Sequence, residues 1–65
     1  MATPNEKIKV WVIYLKNGKQ LTDRDYKQVM VKHGVVAVGP CIQDWKVYIN
    51  LNEISRIMYE EREFE

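Results

Sequence analysis

Residues 8–15 limit the possible folds of this chain more than any other segment does. They read Ile-Lys-Val-Trp-Val-Ile-Tyr-Leu, a β-branched and aromatic run with apolar side chains at both even and odd positions. This composition is typical of a strand. Apolar side chains on both faces indicate a strand that lies inside a sheet, with neighbours on either side. We therefore expect a sheet built around residues 8–15.

A tight turn is predicted directly after this strand. Asn17-Gly18 is the preferred residue pair for a type I′ turn, because both central residues of that turn need positive φ. The chain should therefore reverse at this point. The returning strand is expected to be short, since helix-start signals begin at Thr22.

A helix is predicted from about residue 23 to residue 33. Thr22 can act as its N-cap, with Asp25 three residues later as a variant of the capping box. Gly34 is the natural residue to end the helix. The helical face would carry residues spaced at i, i+3, i+4 and i+7, which are Tyr26, Val29, Met30 and His33.

A hairpin is predicted after the helix. Residues 35–38 form a short β-branched run, and Gly39-Pro40 breaks it. Residues 39–44 are then the loop that leads into a second strand. That strand alternates, with these residues on one face: Trp45, Val47, Ile49 and Leu51.

The end of the chain fits two structures. As a helix, it would be capped by Asn50 with Glu53 at position N3. As a strand, residues 55–61 would close the sheet after a single helical turn. The Ile-Met-Tyr run favours the strand, whereas the Glu-rich remainder favours the helix. The strand ending resembles small SH3-like barrels in outline, and the sequence carries no motif of that or any other family.

These elements together predict an α+β fold. It has a small antiparallel sheet of three to four strands with one helix packed on a face, in the order β(β)αβββ, or a second C-terminal helix instead of the last strand. Residues 1–65 form a single domain, with residues 1–6 and 62–65 frayed. A core of this size contributes only about 3 to 5 kcal/mol to the free energy of unfolding unless a disulfide, a metal or a partner subunit adds to it. We therefore expect self-association, with a homodimer as the simplest form.

Cys41 is the only cysteine, so no internal disulfide can form, and its isolation favours a reducing compartment. Residues 1–7 are polar and lack the apolar core of a signal peptide. No apolar run approaches the length of a membrane span. The expected location is the cytoplasm, without membrane contact.

Catalytic side chains are scarce in this sequence. His33 is the only histidine, and it would pair with Cys41 only if the fold brought the two together. The three glycines are isolated, so no phosphate-binding loop is indicated, and no residue spacing indicates a metal site. We expect no enzyme activity, no cofactor and no metal.

Large rings are abundant for so short a chain, and they are the candidate residues for binding a partner protein. This predicts a non-catalytic protein-binding module, a small regulator, inhibitor or adaptor that acts by occluding a surface. The candidate contacts are Trp11, Tyr14, Trp45, Tyr48 and Tyr59.

The alternative function is binding of single-stranded nucleic acid through a face of lysines and rings. Residues 1–46 hold eight Lys/Arg and four Asp/Glu, whereas residues 47–65 hold two and five. Rings left exposed near cations can stack on unpaired bases. The candidate contacts to nucleic acid are Lys9, Lys16, Lys46 and Arg56.

Overall fold

The computed structural model describes residues 5–64, which form two three-stranded antiparallel sheets. The first sheet has the order β2-β1-β6 and consists of β1 (Glu6–Leu15), β2 (Gln20–Leu21) and β6 (Ile54–Phe64). The second has the order β3-β4-β5 and consists of β3 (Gln28–Lys32), β4 (Val35–Gly39) and β5 (Val47–Asn50). A 3₁₀ turn (Leu51–Glu53) connects β5 to β6.

The α+β prediction is wrong, because residues 5–64 contain no α-helix. Instead of ending a helix over residues 23–33, residues 28–32 form β3 and pair with β4 along its whole length. Helical spacing is a weak local preference, and pairing with a Val-rich strand overrides it. The second C-terminal helix is also absent from the described residues, since residues 54–64 are a strand.

The expected helix start is a turn that leads from β2 to β3. The Asp23 carboxylate accepts a hydrogen bond from the Arg24 backbone N–H at 2.6 Å. The Asp23 carbonyl accepts one from the Tyr26 N–H at 3.1 Å, which closes the turn. The Tyr26 carbonyl in turn accepts from the Trp11 N–H at 2.8 Å, so this segment is bonded to the centre of β1.

The two hairpin turns differ from each other. The chain reverses at Asn17-Gly18 as predicted, but Gly18 alone has positive φ there, at 89°, so the type I′ prediction is wrong. Both residues of the β3–β4 turn have positive φ, with His33 at 53° and Gly34 at 74°. That is the backbone pattern of a type I′ turn. His33 therefore occupies a hairpin turn rather than a helix end.

β1 is the inner strand of its sheet, as the apolar run predicted, with β2 and β6 on either side. Val10 and Val12 on one face and Ile13 on the other are fully buried. The sheets enclose one small core, whose buried members are Val10, Val12, Ile13, Tyr26, Val36, Val38, Ile49 and Ile54.

The strand alternative for the end of the chain agrees with the structure. The Asn50 side chain accepts from the Asn52 N–H at 2.9 Å and begins the 3₁₀ turn. Of the ends expected to fray, residues 1–4 and 65 lie outside the described residues. Glu6 and Phe64 are paired with each other on β1 and β6. Within residues 5–64, no helix has the length and apolarity to cross a membrane.

Candidate functional site

β6 is an edge strand of eleven residues. It pairs with β1 along one side, from Glu6↔Phe64 to Leu15↔Ile54. On its other side, residues 55–64 make no backbone hydrogen bond with any further element of the described chain. Unpaired N–H and C=O groups along a strand are a template for pairing with another chain. The free side of β6 is called the β6 edge below.

Large apolar side chains flank the β6 edge on both faces of the sheet. Met58 is 45% exposed and Tyr59, its neighbour on the opposite face, is 52% exposed. Tyr59 lies directly opposite Trp11 of β1, with ring centroids 4.8 Å apart and planes inclined by 42°. Two of the five rings predicted to bind a partner thus form one aromatic pair beside the edge.

Tyr14 is held by several contacts within the molecule. Its hydroxyl donates to the Glu60 carboxylate and accepts from the Arg62 guanidinium at 3.3 Å. Arg62 also donates to the Gln20 side-chain oxygen at 3.3 Å and forms an ion pair with Glu60 at 3.5 Å. The Arg56 guanidinium stacks over the Tyr14 ring, 4.5 Å from its centre. These contacts position the side chains of Arg56 and Glu60 on β6.

The other two predicted rings lie away from the β6 edge. Tyr48 is 63% exposed on β5 and lines a cleft of about 340 Å³ beside the β1–β2 turn. Lys16 lines the same cleft, and its N–H donates to the Glu53 carbonyl at 2.9 Å. Trp45 is partly buried in the loop before β5. The five rings therefore do not form one surface.

The four cations predicted to contact nucleic acid are also separated. Lys9 lies opposite Glu61 on one face of the first sheet, whereas Arg56 lies on the other face of that sheet. Lys16 follows β1 at the turn. Lys46 forms an ion pair, at 3.4 Å, with the carboxylate two residues before it. Neither a continuous basic face nor a ring-lined groove results from these positions.

His33 and Cys41 lie at opposite ends of the β3–β4 hairpin. His33 is in its turn, and Cys41 follows Gly39 at the far end of β4. Five residues of extended strand separate the two ends by about 17 Å. Both side chains are exposed, so the structure does not bring together the thiol and imidazole that a Cys-His site requires. Within residues 5–64, no group of three or more His, Cys, Asp or Glu is arranged to hold a metal ion.

Sequence reasoning missed three residues that shape this site. Met58 was not among the candidate contacts, and neither were Glu60 and Arg62. A usable signal was the Ile57-Met58-Tyr59 run, which places large apolar side chains on both faces of any strand. The sequence does not reveal that this strand is the one at the edge of the sheet.

Comparison of the chain with protein-family models, with curated proteins and with solved structures finds no match in any of the three.

Proposed function

We propose that this chain is a non-catalytic protein-binding module, a small regulator, inhibitor or adaptor that acts by covering a surface of its partner. The β6 edge is its binding element. The observation that carries this proposal is an open backbone edge over residues 55–64 with Met58 and Tyr59 exposed on its two faces. An added strand gains main-chain hydrogen bonds along such an edge, and side chains at alternate positions provide specificity.

The charges around the β6 edge favour a polypeptide over a polyanion. Directly after Tyr59, β6 carries Glu60, Glu61 and Glu63, with Arg62 among them. Glu61 and Glu63 lie on the same face as the aromatic pair, opposite Lys9 and Lys7, so that face has no excess of positive charge to attract phosphates. Binding of single-stranded nucleic acid stays a prediction of the sequence, and no observation in the structure favours it.

Site-specific photo-crosslinking tests the proposal in the cells that produce the chain. A photoreactive residue replaces Tyr59 in one variant and Ile42 in a matched control. Ile42 is 70% exposed in the loop after β4, outside both sheets. We expect discrete protein adducts from position 59 and none from position 42.

Equal adduct patterns from both positions, or no adduct from position 59, would contradict binding at the β6 edge. An adduct that nuclease treatment removes would instead support the nucleic-acid alternative. A titration with a labelled single-stranded oligonucleotide checks that result, because such binding weakens steeply as the salt concentration rises.

A further inference from the structure

The β6 edge is complementary to itself, and we infer that two copies of this chain form a symmetric dimer through it. In this dimer the two β6 strands pair antiparallel, with Met58 opposite Met58 of the second copy. The inference rests on the proposed function, since it names the partner that the β6 edge accepts. Four observations carry it: the open edge, the order of charges along β6, the exposed apolar side chains and the small core.

Symmetry limits the possible registers. Antiparallel edge pairing places a two-fold axis perpendicular to the sheet, which keeps each face of one copy continuous with the same face of the other. Residues that face each other across the two strands point to the same side of the sheet, so their numbers differ by an even number. The residue midway between them then lies on the axis and faces the same residue of the second copy. Each register is therefore defined by the residue on the axis.

The charges on β6 select Met58 as that residue. With Met58 on the axis, Arg56 lies opposite Glu60 of the second copy, and the two-fold repeats this pair. Side chains opposite each other have Cβ atoms about 4.5–5.5 Å apart, within reach of an ion pair. Both side chains lie on the same face of the sheet and contact Tyr14 on the β1 side of β6, so the pair forms when they turn from Tyr14 toward the second copy.

The neighbouring registers are worse. With residue 59 on the axis, Arg56 would face Arg62 of the second copy. Residues 56, 60, 61 and 62 are themselves charged, so each would face a like charge if it lay on the axis. Like charges directly opposite each other destabilise a sheet. With Ile57 on the axis, no opposite charges face each other.

The same register joins apolar side chains across the interface. Ile57 faces Tyr59 of the second copy, and within each copy Tyr59 faces Trp11 while Ile57 faces Ile13. One face of the dimer then carries an apolar row across four strands, formed by Trp11, Tyr59, Ile57 and Ile13. On the other face the two Met58 side chains meet, so each exposed apolar side chain of β6 gains an apolar neighbour from the second copy.

Pairing of the two β6 strands would enlarge the first sheet from three strands to six. Residues 55–61 of each copy would be paired, which makes one six-stranded sheet in the order β2-β1-β6-β6-β1-β2. Within residues 5–64 the core cluster has eight buried residues, which is small for an independent domain, and association adds buried apolar area without lengthening the chain.

Engineered disulfides test the register. The Met58→Cys substitution is made in a Cys41→Ser background, because Cys41 is exposed and would react in either variant. Facing residues have Cα atoms about 4.5–5.5 Å apart, a separation that a disulfide spans. Ser55→Cys in the same background is the control, since residue 55 and its copy would lie six positions apart, about 20 Å. We expect Met58→Cys to give a covalent dimer under mild oxidation and Ser55→Cys to remain a monomer.

A charge exchange tests the pairing without a covalent link. Arg56→Glu and Glu60→Arg, made singly, each place like charges opposite each other, and each is expected to weaken dimerisation about tenfold in sedimentation equilibrium. The double variant restores opposite charges and should recover most of that loss. Circular dichroism of each variant at low concentration separates a weakened dimer from an unfolded chain.

Three results would overturn the dimer. They are a wild-type chain that sediments as a monomer at millimolar concentration, equal cross-linking at positions 55 and 58, and a double variant no tighter than the singles. None of these would remove the proposed function, because a photo-adduct from position 59 with a different protein would still show that the β6 edge binds a protein. An adduct of twice the chain mass from position 59 would support the dimer.

Discussion

Trp11 and Tyr59 face each other across β1 and β6, and their ring centroids are 4.8 Å apart. Aromatic pairs in this geometry contribute about 0.5–1.5 kcal/mol beyond the area that they bury. A double-mutant cycle with Trp11→Ala and Tyr59→Ala should therefore show a coupling free energy of about that size. Urea unfolding at low protein concentration measures it without a contribution from dimerisation.

The control is a second cycle that combines Trp11→Ala with Tyr48→Ala. Tyr48 lies on β5 in the other sheet. Trp11→Ala and Tyr48→Ala should be additive to within about 0.5 kcal/mol. Additivity of the Trp11/Tyr59 pair as well would show that the two rings do not stabilise each other.

Gly39 cannot be replaced by any residue with a side chain unless the loop after β4 moves. A Cβ atom at this position would overlap the backbone carbonyl of Asp44. Gly39→Ala should lower the free energy of unfolding by about 3 kcal/mol, because backbone on both sides has to move. Chemical denaturation followed by circular dichroism measures the loss.

Gly18→Ala is the comparison for Gly39→Ala. A Cβ on Gly18 meets open space, but the residue has φ of +89°, which costs an L residue about 1 kcal/mol. Equal losses for the two variants would mean that the contact with Asp44 does not constrain Gly39.

His33 is a non-glycine residue in a left-handed turn position, with φ of 53°. Asn tolerates this conformation well, whereas a β-branched residue does not. His33→Asn should raise the melting temperature slightly, and His33→Val should lower it by about 4–8 °C. Lys32→Val is the matched control, because Lys32 is exposed in a regular strand, and an equal loss there would contradict the turn argument.

Because of Tyr26, the free energy of unfolding is expected to vary with pH in the alkaline range. Burial raises the pKa of its phenol above 10.0, and the nearby Asp23 carboxylate raises it further. The folded state then keeps the phenol proton at pH values where the unfolded chain has lost it. This contribution to stability is complete below pH 10 and declines as the pH rises through the folded pKa.

Urea unfolding at several pH values from 7 upwards checks this dependence. The Tyr26→Phe variant should show a shallower loss of stability above pH 10 than the wild type. Tyr48→Phe is the control, since that ring is 63% exposed and its removal should leave the wild-type slope unchanged. Parallel curves for Tyr26→Phe and the wild type would contradict the role of Tyr26.

Local patterns predicted part of this fold well. The apolar run of residues 8–15 predicted the inner strand, and the alternation over residues 45–51 predicted a strand that the structure has at Val47–Asn50. The segment before Gly34 was misread because His33-Gly34 can end a helix or form a type I′ turn. The choice is made by the pairing of β3 with β4, which depends on side chains beyond the window in which helical spacing is judged.

The candidate site was harder to predict than the strands. Tyr59 was predicted as a contact, but the sequence does not reveal that it packs against Trp11, which lies on a strand far away in the sequence. Met58 was missed because its importance depends on β6 being at the edge of the sheet. Tyr14 was predicted as a partner contact, and its contacts with charged groups of β6 depend on strand pairing that the sequence does not reveal.

The longest ladder in the fold joins the two ends of the described chain, since β1 pairs with β6 from Glu6↔Phe64 to Leu15↔Ile54. Loop-closure entropy must be lost before such distant contacts form, which favours folding in milliseconds to seconds rather than microseconds. During synthesis, β1 must wait for residues 54–64 to leave the ribosome. Until then Val10, Val12 and Ile13 lack the sheet that buries them, and a nascent chain stalled before β6 would be a substrate for chaperones.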